Sequence, residues 1–303
     1  MISIIICARK NDISPELRSN IETSIGDTAC EIIVIDNSNN DFTIFSAYNR
    51  GVALSQYPVL LFMHDDILFK TTGWGEKVAN HFKDEQIGAI GVAGTPYLSF
   101  MPGGWWSTGM GYLHLLQSDG IGQPGIMQEY APAGVDPSRR EVVALDGVWF
   151  CIRKNLFSEI RFDETTYDGF HFYDLDTTLQ VYRLGYTLLS VDDILIHHLS
   201  QGVLDEKWIR YAMIFRRKWK SILPLACVSV GIRRSCLIEY RVLHTFISDK
   251  LRVRQRTGQK ESQVYLFGLK ELLAFPKSYL YFKTPFWAGK LFFKYIGTRL
   301  AGR

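Results

Sequence analysis

Several small groups of residues in this chain have the types and spacing that chemistry needs. The first is His64-Asp65-Asp66, which ends the apolar run Val59-Leu60-Leu61-Phe62-Met63. Adjacent carboxylates repel unless a cation neutralises them. Their oxygens suit a hard divalent ion, Mg²⁺ or Mn²⁺, shared with a substrate phosphate. The same residues also read as a solvated loop capping the next helix. The second is Asp174, which opens a helical segment running to a glycine stop at Gly185. Carboxylates are stabilised at that end of a helix, and a plain N-cap is the other reading. The third is His197-His198, closing the short apolar run Ile194-Leu195-Ile196. It reads as a pair of metal ligands or as structural histidines.

Two more features belong with these. Asp146-Gly147 interrupts an otherwise apolar run from Val142 to Phe150. A buried Asp needs a partner or an open site, and a strand glycine allows close approach of a ligand. Trp105-Trp106 lies in a glycine- and proline-rich stretch, residues 94–140. Long loops of this kind are usually functional, and indole faces suit stacking on sugar rings, so a substrate-facing loop is expected.

The elements that must position these groups follow a rhythm. Ile2–Ala8, Glu31–Asp36, Val59–Met63, Ile87–Ala93 and Glu141–Ile152 read as buried strands. Helical segments are predicted after Ser14-Pro15, over Phe42–Leu54, near 73–83 and from Asp174. Alternation of this kind predicts an α/β fold with a mostly parallel sheet flanked by helices. In such sheets, ligands bind beyond the carboxyl ends of the strands, where His64-Asp65-Asp66 is delivered.

The five cysteines stand at 7, 30, 151, 227 and 236 with no CxxC pair, so neither a zinc site nor a disulfide framework is indicated, and a reducing cytosol fits. Ile2–Ala8 lacks a preceding basic region and reads as a strand, not a signal peptide. The longest weakly polar stretch, Ser221–Ile232, is too short to span a bilayer. The net charge of +3 hides an asymmetry. Residues 1–204 hold 13 Lys+Arg against 25 Asp+Glu, and residues 205–303 hold 21 against 6. The division predicts an acidic catalytic domain over 1–204 and a basic, aromatic, helical region over 205–303. The second includes Trp208–Trp219, Arg252, Arg254 and Arg256, and the lysine–aromatic segments Lys277–Lys283 and Phe286–Tyr295. Such a tail seeks a polyanion, an anionic membrane surface or a nucleic acid.

Taken in order, these segments resemble the family 2 glycosyltransferases with the GT-A fold, especially their bacterial glycosyltransferase-like branch, over about residues 1–204. Ile4-Ile5-Ile6-Cys7-Ala8-Arg9 looks like the opening strand leading into the nucleotide pocket. Ile33-Val34-Ile35-Asp36 resembles the second strand, whose Asp contacts the base. Tyr48-Asn49-Arg50-Gly51 resembles the Asn-x-Gly segment, and His64-Asp65-Asp66 occupies the DxD position. Phe172-Tyr173-Asp174-Leu175-Asp176 looks like the Glu-Asp-x-Asp segment, and His197-His198 like the late histidine of the metal or diphosphate site. Two positions depart from the pattern: His64 stands for the first Asp, and Tyr173 for the Glu.

The resemblance implies inverting transfer of a sugar from a nucleotide-diphosphate sugar, a UDP-sugar in the first instance, to a hydroxyl of a glycan or lipid-linked acceptor in bacterial surface polysaccharide synthesis. It implies Asp174 as catalytic base. Nucleotide-sugar contacts would come from Cys7, Ala8, Arg9, Asp36, Asn49, Arg50, His64, Asp65, Asp146 and Gly147. Mn²⁺ or Mg²⁺ would sit on Asp66, His198 and His197, and Trp105, Trp106 and Tyr173 would face the acceptor. With the basic tail, the expected location is cytoplasmic, peripheral on the inner face of the plasma membrane. Two other classes stay open: a catalytically silent nucleotide-sugar-binding module, and a nucleic-acid-associated protein using the tail, although no nucleic-acid-binding motif is present.

Overall fold

The computed structural model describes residues 1–120, 123–132, 140–202, 204–257, 260–275 and 284–300. The chain divides into two compact units, Met1–Pro96 with Met110–Gly202, and Tyr97–Gly109 with Val203–Arg303. Residues 97–109 thus belong to the second unit together with those from 203 on.

The first unit opens with β1 (Ile2–Ala8), α1 (Pro15–Ser24), β2 (Cys30–Asp36), α2 (Ile44–Leu54) and β3 (Val59–Met63). Local chemistry sets these boundaries. The Ser14 hydroxyl accepts from the Leu17 amide at 3.1 Å with Pro15 behind it, and Thr43 caps α2 through the Ser46 amide at 3.1 Å. Every residue of β3 is buried, as expected of a strand covered on both faces. Burial of each such side chain contributes ~1.5–3 kcal/mol. Gly51 in α2 lies so close to Ile5 that a Cβ there would collide with it, so this glycine sets how closely α2 packs on β1.

There follow β4 (Ile67–Phe69), α3 (Trp74–His81), β5 (Ile87–Gly91) and β6 (Ala93–Thr95). In the second unit β7 (Tyr97–Leu98) comes next, and the first unit resumes with β8 (Tyr112–Gln117), β9 (Ile126–Tyr130), β10 (Glu141–Val142), β11 (Ala144–Leu145) and β12 (Trp149–Arg153). It ends with α4 (Tyr173–Arg183), β13 (Thr187–Ser190) and β14 (Ile196–His198). The expected single strand over 141–152 is three short ones, interrupted at Val143 and again over Asp146–Val148. Residues 94–140, expected as a loop, carry strands as far as described; 121–122 and 133–139 lie outside the described residues.

The main sheet has the order β10-β13-β5-β12-β3-β1-β2. β1 pairs in parallel with β2 and β3, and β13 with β5, while β12 runs antiparallel between β3 and β5. The core gathers β1 and β3 with Trp74, Trp149 and Ile194. Register brings the site together. Ala8 pairs with Asp36, Ile6 with Met63, and Trp149 with Met63, so the C-terminal ends of β1, β2 and β3 share an edge with the residues just before β12. A second sheet, β11-β6-β8-β14-β4, places His198 opposite Ile67, beside the residues that follow β3.

The second unit holds β7, α5 (Glu206–Trp219), β15 (Leu225–Ala226), α6 (Ile232–Thr257), α7 (Glu261–Ala274) and α8 (Thr284–Leu300). Its polar centre is Glu239 of α6, which is fully buried. Glu239 accepts from the hydroxyls of Tyr97 (2.7 Å) and Ser99 (2.6 Å) and from the amides of Phe100 (3.1 Å) and Met101 (2.9 Å). Burial pushes this carboxyl up, and four donors compensate it. The segment Lys277–Lys283 and the Arg256 side chain lie outside the described residues.

Candidate active site

The edge of the main sheet carries the groups singled out in the sequence. The Asp65 carboxylate is held by Arg9. Arg9 donates its amide to Oδ2 at 3.0 Å, Nε to Oδ1 at 3.0 Å, and a terminal nitrogen to Oδ1 at 2.6 Å. The same guanidinium reaches Asp66 Oδ2 at 3.1 Å. Hydrogen bonding and charge from Asp65 raise the Arg9 pKa further, against partial burial.

Asp66 is buried and accepts the Ser200 hydroxyl at 2.6 Å. Burial works against its charge. Hydrogen bonds from the His198 edge and Ser200, with the imidazoles beside them, outweigh that and hold the carboxyl well below the usual range. Its Oδ1 lies 3.8 Å from His64 Nδ1 and 3.5 Å from His198 Nε2. His64 Nδ1 and His198 Nε2 are 3.4 Å apart. These three residues offer ligand atoms that all lie within 4.8 Å of one another. Two imidazoles and a carboxylate fit a divalent transition metal better than a purely oxygen site would. His64 is held below its ordinary pKa by burial and by His198, which keeps it neutral as a ligand must be.

His197, expected in this group, is not part of it. Successive side chains of a strand point to opposite faces, so β14 sends His198 to Asp66 and His197 to the Ser118 hydroxyl. His64 takes the place expected of His197.

Asp174 lies in the first turn of α4, half-buried, and accepts the Gly147 amide at 2.7 Å. Thr178 ties the helix to β11 by accepting the Leu145 amide at 3.0 Å while donating to the Asp174 carbonyl at 2.7 Å. Burial, then the charge of Asp146, push the Asp174 carboxyl up to about 7, against backbone hydrogen bonds that lower it. Asp146 itself accepts the Val148 amide at 3.0 Å. Asp176, in the same motif, is fully buried, accepting from Tyr167 at 3.3 Å and Gln180 at 3.1 Å, which is a structural duty. Tyr173 is buried, with its hydroxyl 3.0 Å from both the Gly147 carbonyl and His64 Nε2.

The remaining predicted residues divide. Ala8 is buried at the end of β1, and Cys7 is pushed up to about 11 by burial, partly offset by Asn37. Asp36 is exposed at the end of β2, its carboxyl lowered by the Ser38 amide and hydroxyl. Asn49 is spent on the backbone of Phe162, donating at 2.9 Å and accepting at 3.2 Å, and Arg50 lies over the Phe42 ring at 5.7 Å. Trp105 is buried within the second unit, and Trp106 lies against Trp208 there, ring centroids 5.8 Å apart. Trp105 packs its own unit, while Trp106 stays 45% exposed. Sequence reading missed Ser200 and Gln117, whose side chain bonds His198 at 3.1 Å. Neither stands in a motif; only its position beside a strand-end histidine in space marks it.

A mostly parallel sheet with the His64, Asp66 and His198 side chains and a raised carboxyl at one edge is the layout of the GT-A class of α/β protein. The chain belongs to the glycosyltransferase-like family, whose sequence model it matches over residues 3–217. It is 25% identical over 193 residues to the streptomycin biosynthesis protein StrF of Streptomyces griseus, covering 61% of this chain and 64% of that one. A crystal structure of S. aureus TarS, residues 1–349, shares the fold at a TM-score of 0.52 and 15% identity, covering 98% of this chain and 88% of that chain. A structure of GalNAc-T7 with UDP, GalNAc and Mn²⁺ aligns at 0.46 and 12% identity, over 73% and 50%.

Proposed function

We propose that this protein transfers a sugar, with inversion, from a nucleotide-diphosphate sugar, a UDP-sugar in the first instance, to a hydroxyl of a glycan or lipid-linked acceptor in bacterial surface polysaccharide synthesis. The observation that carries the reading is Asp174. Its carboxyl is raised to about 7 and anchored to Gly147, on the sheet edge that also carries the His64–Asp66–His198 group. A general base works best when its pKa lies near the working pH. As the acceptor oxygen bonds to the anomeric carbon, the bond to the diphosphate oxygen breaks and the diphosphate leaves with the electron pair. Asp174 takes the acceptor proton. His64, Asp66 and His198 would hold a divalent ion, Mn²⁺ or Mg²⁺, which supplies neutralisation of the leaving charge. Asp146 and Gly147 position the sugar, and Arg9 and Asp36 flank the base and ribose side.

Calorimetry with a nucleoside diphosphate tests the site. Affinity should fall when EDTA replaces Mn²⁺, and Asp66→Ala should abolish the metal-dependent part; equal affinity in all three conditions would refute it.

The second part of the reading is contact with an anionic membrane at the cytoplasmic face. Phe286, Phe293 and Leu300, seven residues apart on α8, are 60%, 75% and 84% exposed. Lys290 and Lys294 flank them on one side and Arg299 on the other, and residues 284–300 hold no Asp or Glu. An apolar stripe between cations suits a helix lying in a headgroup layer, while two such helices would repel each other. Among the described residues no helix is long and apolar enough to cross a membrane.

A further inference from the structure

We propose that Tyr173 is a positioning residue which fixes the tautomer of His64, so that the two departures from the family pattern, histidine at 64 and tyrosine at 173, form one device. The inference rests on reading His64–Asp66–His198 as a metal site.

The hydrogen-bond partners favour one arrangement of protons. The Tyr173 hydroxyl lies 3.0 Å from the Gly147 carbonyl and 3.0 Å from His64 Nε2. The Gly147 carbonyl can only accept, and the hydroxyl proton is directed to it. The hydroxyl then has only lone pairs for His64, and Nε2 must carry the proton. A neutral imidazole protonated at Nε2 has a bare Nδ1, and Nδ1 is the atom that faces Asp66 and His198.

The opposite ring is fixed in the same way. The Gln117 amide nitrogen donates to the carbonyls of Ser118 and Ser200, both at 2.8 Å, so its oxygen is what meets His198 Nδ1 at 3.1 Å. His198 Nδ1 therefore carries a proton, which leaves Nε2, the edge that faces Asp66, as the atom a metal would take. His64 Nδ1 and His198 Nε2, 3.4 Å apart, then converge beside the Asp66 carboxylate. Such an arrangement is suited to a cation. Outer hydrogen bonds of this kind orient metal-bound histidines generally.

A carboxylate at 64 would need no such control, because either oxygen can ligate. A histidine does. An ionised Glu at 173 would accept from Nε2–H but repel the Gly147 carbonyl, whereas a phenol serves both. The pairing also dictates residue 147, since any Cβ there would collide with the Tyr173 hydroxyl.

The test uses the full chain and Mn²⁺ alone as probe. Long-range ¹H–¹⁵N spectra of the metal-free protein should show His64 protonated at Nε2, and Tyr173→Phe should shift that ring toward the other tautomer. Calorimetry should show Tyr173→Phe weakening Mn²⁺ binding about 10–100-fold, the range found for such outer partners. In a His64→Asp background the same Tyr173→Phe change should have no effect on Mn²⁺ affinity. Wild-type Mn²⁺ affinity in Tyr173→Phe, an equal loss in both backgrounds, or a His64 ring protonated at Nδ1 would overturn the proposal while leaving the metal reading intact. Absence of Mn²⁺ binding by the wild-type chain would remove the metal reading and this inference with it.

Discussion

The Gly147 amide donates to Asp174 Oδ2 at 2.7 Å. That bond joins the break before β12 to the first turn of α4, two stretches 27 residues apart in sequence. It fixes the carboxyl where its charge is costly, between burial and Asp146.

Asp174→Asn keeps the acceptor oxygen for Gly147 but cannot take a proton. Turnover should fall ~10²–10⁴-fold, the usual contribution of a general base. Nucleotide affinity by calorimetry should stay unchanged. A variant with wild-type turnover would remove Asp174 from the chemistry.

The pH dependence follows from the same carboxyl. With its pKa at about 7, only the deprotonated fraction acts as base, so kcat should rise with pH through 7. One unit below, the rate should be about a tenth of the plateau. Stability has the opposite sign. The folded Asp174 holds its proton more tightly than the unfolded one, so folding loses stability as pH rises from the ordinary carboxylate range to about 7. Thermal melts should therefore place Asp174→Asn above the wild type at pH 8, with the gap closing toward pH 4.

Asn49 should behave as a structural residue. Both its amide atoms bind the Phe162 backbone, so Asn49→Ala should cost ~1–2 kcal/mol of stability in urea unfolding. Nucleotide affinity should be unaffected in the folded fraction. A selective loss of nucleotide binding at full stability would return Asn49 to the pocket.

On α8, Phe286→Glu with Phe293→Glu replaces exposed side chains and should leave the fold intact. Flotation with vesicles containing anionic phosphatidylglycerol should show the wild type bound and the double variant released. Equal binding by both would exclude this face as the contact.

Much of this was legible in the sequence, and where it was not the reason is physical. Strand ends are announced by abrupt apolar-to-polar steps, so His64 and Asp66 could be picked out before any fold was known, and Asp174 by the helical segment it opens. The choice between His197 and His198 could not, because it turns on which face of β14 meets Asp66, a matter of pairing with β4 and β8. Asn49 and Trp105 look functional by type. Their partners, Phe162 and the packing of the second unit, are distant in sequence. Asp146-Gly147 was recognisable as an anomaly, while its bond to Asp174 required α4 to be in place.

The most direct test is release of nucleoside diphosphate from a panel of nucleotide sugars, with Mn²⁺, Mg²⁺ or EDTA present, for the wild type and Asp174→Asn. Metal-dependent release from one donor by the wild type, with ~10²-fold or greater loss in the variant, is the expected result. Equal release with EDTA, or undiminished release by Asp174→Asn, would contradict the account.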